Sequence, residues 1–288
     1  MNKIAIFVVS AMLVLGLTAC GAENTGGSNG NKQGNSVEQS QGSGNAETNK
    51  IPTVEELIEK STVASAELQS FSMDMKMKQN IIITQGEETQ EQKVDMTIKS
   101  DFIKDPLKMV QEIVMEMQEG NQLMTQYVTE EGIFTQVDGT WYKQPDAALA
   151  EMIASLEDSV KPEKQLENFK TIAQDTKITE EGSDYVMTAE LSGDSVKELA
   201  KSLMGQSGGN SEEVAAMIDA MNINSIKVLS AMNKETFLPT RSDVVMQAEM
   251  EQEGMKFTLD MDITSTLGKY NEVGEINVPQ EALDAPSM

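Results

Sequence analysis

From Phe71 onward the hydrophobic residues of this chain recur at every second position, over spans longer than most strands. Phe71, Met73, Met75, Met77, Ile81 and Ile83 share one parity, and Ser72, Asp74, Lys76, Lys78 and Asn80 fill the other. Past Gly86, Val94, Met96, Ile98 and Phe102 alternate with Lys93, Asp95, Thr97, Lys99 and Asp101. Past Asp105-Pro106 the run goes on through Leu107, Met109, Ile113, Met115 and Met117. Successive side chains of an extended chain leave opposite faces, so this pattern prescribes long antiparallel strands with one dry face and one wet face. An α-helix would scatter the same residues around its whole circumference.

The rest of the chain from Ile51 fits around those strands. Thr53-Val54-Glu55-Glu56 is a capping box after Pro52, and Val54, Leu57, Ser61, Ala64 and Leu68 follow at helical spacing, so a helix opens the domain. Shorter strands are expected from Gln122 to Thr129, Ile133 to Val137 and Trp141 to Lys143, the last two joined by the hairpin dipeptide Asp138-Gly139. Helical stripes then appear: Leu149, Met152, Ile153 and Leu156, and, after Pro162, Leu166, Phe169 and Ala173. A strand pair across Glu181-Gly182 puts Tyr185, Met187, Ala189 and Leu191 on one face. A second capping box, Ser195 to Glu198, opens a helix that Gly205 to Asn210 breaks, and Val214, Met217, Ile218 and Met221 form a further amphipathic piece. Three strands close the chain: Ile226 to Met232, then Val244, Met246, Ala248 and Met250, then Met255, Phe257, Leu259, Met261 and Ile263 past Glu253-Gly254. The expectation is α+β, with about eleven antiparallel strands in hairpin succession and a helical insertion after the fifth or sixth. The strands are too long and one-sided for an immunoglobulin-like sandwich, and one strongly curved sheet wrapped around helices fits better.

The first fifty residues have a different character. Lys3 precedes an apolar run from Ile4 to Leu17, the length of a signal-peptide core and short for a membrane span. Leu17-Thr18-Ala19-Cys20 then resembles the lipobox of bacterial lipoproteins, with Leu17, Thr18 and Ala19 leading to the only Cys of the chain. That resemblance implies removal of residues 1–19, a diacylglycerol on the Cys20 sulfur and, where the new amine is acylated as well, a palmitate-type chain there. Two or three acyl chains give stable anchoring where one is marginal. Gly21 to Lys50 is almost wholly Gly, Asn, Ser, Gln, Thr and Glu, which cannot bury enough apolar surface to offset ordering entropy. It reads as a tether with an r.m.s. reach of roughly 30 Å. The division expected is therefore a signal peptide over 1–19, lipidated Cys and tether over 20–50, and a folded domain over 51–288.

Charge removes several function classes. With 22 Lys+Arg against 47 Asp+Glu the formal charge is −25, and because Met1 to Lys50 holds equal numbers of Lys and Glu the folding domain keeps all of it. Such a field opposes nucleic acid and anionic headgroups, so membrane attachment is expected through the Cys20 lipid and nucleic acid is not a partner. Zero His removes His-based triads and His metal sites, and a single Cys removes internal disulfides and Cys zinc clusters. No EF-hand spacing, phosphate loop, GxSxG or SxxK element is present, and carboxylate pairs such as Asp260 and Asp262 belong to the wet parity of their strand. Neither catalysis, nor a metal, nor a cofactor is expected.

Ile51 to Met288 is similar to lipoproteins of the LolA/LppX superfamily, and most to Met-rich lipoproteins of Gram-positive bacteria within it. The residues that carry the resemblance are Glu56-Leu57-Ile58-Glu59-Lys60-Ser61, Leu68-Gln69-Ser70-Phe71-Ser72-Met73, the turn Asn233-Lys234-Glu235-Thr236-Phe237-Leu238-Pro239, and Ile276-Asn277-Val278-Pro279. It implies an unclosed antiparallel half-barrel whose concave face is covered by helices and whose cavity shelters acyl chains or lipids. It also implies an extracytoplasmic, cell-envelope location. The residues expected to line such a cavity are Met73, Met75, Met77, Met96, Ile98, Met115, Met246, Met250, Phe257 and Met261.

Met is unusually frequent, at 21 residues, and twelve fall on the dry parity of strands, Met109, Met117, Met187 and Met255 among them. Met is unbranched and adaptable, which suits a surface that accepts variable apolar ligands, and it equally suits plain filling of an irregular core in a chain poor in aromatics. Trp141 and Tyr142, beside the Asp138-Gly139 turn, are open between a ligand-facing rim and cross-strand packing. Two functions follow: a membrane-anchored protein binding or carrying a lipid or acylated molecule, or an envelope interaction module that contacts a membrane or cell-wall protein and carries nothing.

Overall fold

The computed structural model of the chain describes residues 51–117, 120–145, 147–159, 169–170, 172–192, 196, 222–252 and 254–287. Cys20, its lipobox, Pro162 and the stretch from Gly205 to Met221 lie outside them. No described helix is long and apolar enough to cross a membrane.

Helix α1 (Val54–Ala66) starts where the capping box places it: the Thr53 N–H donates to Glu56 Oε2 at 2.8 Å and the Glu56 N–H to Thr53 Oγ1 at 3.2 Å. Strands β1 (Ser70–Gln85), β2 (Glu88–Lys104) and β3 (Leu107–Met117) are the three long alternating runs. β4 (Gly120–Thr129), β5 (Gly132–Val137) and β6 (Thr140–Lys143) shorten progressively, and α2 (Ala147–Ser159) follows. A 3-10 turn (Ala173–Asp175) leads into β7 (Thr176–Glu181) and β8 (Asp184–Leu191). β9 (Asn222–Asn233), β10 (Pro239–Gln252) and β11 (Met255–Gly268) complete the sheet, and a short α3 (Gln280–Leu283) ends the chain.

All eleven strands belong to one antiparallel sheet in the order β6-β5-β4-β3-β2-β1-β11-β10-β9-β8-β7. The first and last strands meet at its centre, and two wings of hairpins run outward to β6 and β7, which do not pair with each other. A twisted sheet of so many strands coils rather than lies flat, and this one stays open, giving the half-barrel that the LolA/LppX resemblance implies. Four of the hairpins carry positive-φ turn residues. Asp138 and Gly139 both have positive φ (48° and 87°), the requirement of a type I′ turn, and Gly86, Gly182 and Gly254 serve three further two-residue connections.

The near end of the sheet, where α1 hands over to β1, is closed by local bonds. Asn271, at φ 60°, accepts the Gln69 N–H on its side-chain oxygen at 2.7 Å, and its own N–H donates to the Ser70 carbonyl at 2.9 Å. The Tyr270 hydroxyl donates to the Pro239 carbonyl. At one edge, the C-terminal tail pairs with β6: the Lys143 N–H donates to the Pro286 carbonyl at 3.1 Å, and Ser287 forms a parallel bridge with Lys143. α3 packs against β5 and β6 beside it.

Candidate functional site: an apolar trough on the inner face

Register decides which side chains share a face, because directly paired residues point the same way. Met77 lies between Ile263 of β11 and Met96 of β2, and Met96 lies opposite Met115 of β3. Met75 pairs with Ile98, Met246 with Met261, and Met250 with Phe257. All ten residues expected to line a cavity, Met73 included, therefore occupy one inner face. The polar parity, with Asp74, Lys76, Lys78, Asp95, Lys99, Asp260 and Asp262, occupies the other.

The inner face is not uniform. Two buried clusters pack helices against it. One joins Val54, Leu57 and Ile58 of α1 to Met187, Ala189, Leu191, Ile223, Ile226, Met232 and Ala248 of the β8–β10 wing, with Phe169, Ile172 and Val196. The other joins Met152 of α2 to Phe71, Phe102, Met109, Val128 and Ile133, the near-end residues of β1 to β5, with Met73 packed against it. Among the described residues, a third apolar region toward the far end of the central strands belongs to neither cluster. Its floor, Val94 and Met96 of β2, is buried, while its flanks, Met75, Met77, Ile81, Ile83, Ile98, Met115, Met124, Met250, Phe257 and Met261, are only half-buried. Met117 at its margin is 38% exposed. From Met75 to Ile83 this region runs about 26 Å along β1, and Gln79, Gln90, Gln92 and Gln122 share its face, so it is neutral but interrupted by amides.

A polar belt separates the α2 core from the trough. Ser100, Gln111, Gln126 and Thr135 are successive cross-strand partners on the inner face. The Gln111 amide donates to Gln126 Oε1 at 2.9 Å and the Gln126 amide to Thr135 Oγ1 at 3.3 Å. One step along on the other wing, Ser265, Ser242 and Ser230 continue it across β11, β10 and β9. The belt, Met124 and the Asn271 clamp were not anticipated from sequence. The alternation of residues 107–129 contained the signal for the first two, since Gln111, Gln126 and Met124 sit on the dry parity.

Between Met75 and Ile83 the trough carries no charged side chain; the acids and bases of its strands lie on the outer face, except Glu88 and Lys104 at the two ends of β2, which share the inner parity. On the outer face a shallow cleft of about 420 Å³ is lined by Ser72, Asp74, Lys99, Asp101, Glu112 and Thr266. Opposite charges alternate across it, Asp74 beside Lys99 and Lys99 beside Glu112, and the Ser72 hydroxyl donates to Asp101. Trp141 and Tyr142 face opposite sides. Trp141 packs on Tyr127 of the outer face with ring centroids 5.9 Å apart, and burial together with the Glu112 charge raises the Tyr127 pKa. Among the described residues no group of three or more His, Cys, Asp or Glu is placed to hold a metal ion.

One open antiparallel sheet, curved about helices on its inner face and bearing a partly buried apolar strip there, defines an open half-barrel. Residues 53–287 match the family of unknown function DUF6612, and the chain belongs to that family. No curated protein matches it. Solved structures similar to it include a DUF1329 family protein from Desulfovibrio piger, 12% identical over 78% of this chain and 96% of that one, at a TM-score of 0.22. A LolA superfamily protein from Nitrosomonas europaea is 11% identical over 81% and 98%, at 0.18. A putative outer membrane lipoprotein-sorting protein domain from Vibrio parahaemolyticus is 8% identical over 81% and 97%, at 0.21. At such scores the likenesses add nothing to the strand order, on which the description of the fold rests.

Proposed function

We propose that the chain is a lipid-anchored, extracytoplasmic binding protein of the cell envelope that holds a lipid or an acylated molecule against the inner trough and catalyses no reaction. The observation that carries this reading is the contrast on one face: Met187 and Met232 are fully buried under helices, while Met75, Met77, Met250 and Met261 are half-buried on a floor without charge. Apolar surface left only partly buried costs free energy in water, and a contiguous stretch of it supports a ligand or partner site. Flexible thioethers let such a surface conform to chains of different shape. The anchor reading rests on Cys20 in its lipobox, and the Gly/Asn/Ser/Gln tether would let the domain meet ligand well clear of the bilayer.

Mass spectrometry of a chloroform extract of the purified protein tests the ligand. A stoichiometric lipid or acylated compound, lost when Met77→Trp fills the trough, supports the carrier. A clean extract, together with failure of the protein to take up any apolar probe, would leave the envelope interaction module as the reading. Cys20→Ala tests the anchor: the protein should leave the membrane fraction or remain uncleaved, and cleaved protein retained in the membrane would refute lipidation at this residue.

A further inference from the structure

The outer face is the convex side of the curved sheet, and a cleft there needs missing side chains to make room for it. The cleft of about 420 Å³ sits where Gly268, the last residue of β11, pairs with Ser72, and Ser72 with Asp101. Local structure gives no reason for the glycine. Its φ is not positive, the pairing of β11 with β1 reaches it without a bulge, and a Cβ there would meet nothing within 4 Å. A glycine in a strand weakens it and marks the close approach of a ligand or another backbone. The walls point the same way. Asp74, Lys99 and Glu112 are directly paired across β1, β2 and β3, yet among the described residues no ion pair or side-chain hydrogen bond engages them, nor Thr266 or Lys269 at the rim.

Two rows lead from the cleft across the sheet to aromatic rings. Asp101 pairs with Val110 and Val110 with Tyr127, while Glu112 pairs with Thr125, Thr125 with Gln136 and Gln136 with Trp141. Burial and the Glu112 charge raise the Tyr127 pKa, so that carboxylate lies near the ring. Half-buried Tyr127 and Trp141 close a band that runs about 29 Å from β11 to β6. Three carboxylates against two ammoniums in the cleft nearly cancel, and together with the hydroxyls they set acceptors and donors side by side. A ligand selected by such a surface carries many hydrogen-bonding groups and no net charge, and the rings offer flat apolar faces to the C–H side of a sugar. We propose that this outer band binds a neutral oligosaccharide, its hydroxyls on Asp74, Lys99 and Glu112 above the Gly268 floor and a sugar ring against Trp141. The net charge of the domain disfavours an anionic polymer at the same place. The band lies on the face opposite the trough and does not depend on it.

Trp141 is the only tryptophan of the chain, so its fluorescence reports on the band. The full chain carrying Cys20→Ser, which removes the anchor, is titrated with tetra-N-acetylchitotetraose, cellotetraose and maltotetraose, with calorimetry in parallel. At least one should bind saturably, shift the Trp141 emission and bind more tightly than its disaccharide. Gly268→Leu fills the cleft and should cut affinity about tenfold or more, leaving the urea midpoint and the uptake of an apolar probe unchanged; Asp74→Asn and Glu112→Gln should each cut it about fivefold to tenfold. Asp262→Asn, on the same face four residues along β11, should change nothing. Retention on purified cell-wall sacculi, weakened by the same variants, assigns the sugar to a wall glycan, and binding of the free sugars alone assigns it to a soluble one. Absence of binding to all three sugars, or binding indifferent to the cleft variants, overturns the proposal and leaves the trough reading standing. Tighter binding of a zwitterionic tetrapeptide overturns the assignment to a sugar.

Discussion

Truncating two methionines that the sequence alone cannot tell apart should give unequal losses of stability. Met187 is 0% exposed within the α1 cluster, while Met77 is half-buried on the flank of the trough. Met187→Ala removes buried contacts and leaves a cavity under a helix, which costs about 2–5 kcal/mol. At Met77 only part of the side chain has left water and the space beside it is already open, so the transfer contribution is about 1 kcal/mol and the cavity contribution is small. With a urea m-value of about 2.5 kcal/mol/M for a domain of this size, the midpoints should fall by roughly 0.8–2 M for Met187→Ala and roughly 0.4 M for Met77→Ala. The reverse substitution sharpens the comparison. Met77→Trp should leave the midpoint nearly unchanged and abolish probe binding, whereas overpacking a filled core costs about 1–3 kcal/mol. A Met77→Ala loss as large as that of Met187→Ala, with Met77→Trp unfolding the protein, would show that the far-end face is closed core and that no trough exists.

Three other outcomes follow from the same structure. Asn271→Ala should lower stability by about 1–2 kcal/mol, because it orphans the Gln69 N–H and puts a Cβ residue without Asn's tolerance at positive φ; Asn271→Gly should recover part of that in the same urea titration. Burial raises the Tyr270 pKa, so the folded state keeps the phenol protonated after the unfolded chain begins to ionise near pH 10. Stability should be flat up to about pH 9 and fall as pH rises through 10, with Tyr270→Phe showing a shallower fall and a loss of about 1 kcal/mol at neutral pH. Deleting residues 26–45 should leave the melting temperature within about 1 °C, since a segment of this composition is expected to contribute no packing, and a drop of several degrees would refute that.

The strands were legible because a period of two over ten or more residues has no other reading, and the turns because Asp138-Gly139, Gly86 and Gly254 tolerate positive φ. The order of the strands was not written there: nothing in the alternation of residues 71–83 says that their other neighbour is residues 255–268. The parity of the inner face was legible as well, and the ten candidate residues do share it. What distinguishes Met77 from Met187 was not, because both sit on dry parity and only the placement of α1 separates a covered methionine from an open one. The belt was hidden for a related reason. Gln111 and Gln126 look like lapses in the pattern until register makes them partners, and the Asn271 clamp joins positions about 200 residues apart.

The pairing of β1 with β11 sets a timetable for assembly. Synthesis proceeds at roughly 5–20 residues per second, so β1 waits about 10–40 s for its partner after its own residues have been made. Through that interval β1 to β6 can zip into a wing by short hairpins, but the long flank of β1 presents unpaired backbone beside a row of methionines, the kind of edge that recruits strands from other chains. Native proteins blunt such edges with charge, and Asp74, Lys76 and Lys78 interrupt this one on alternate positions. The loop finally closed at the centre of the sheet is nearly as long as the domain, which places this protein among slow folders by topology. Chaperone dependence should therefore track the availability of residues 255–268: a chain truncated before Met255 would keep most of its hairpins and lose its solubility.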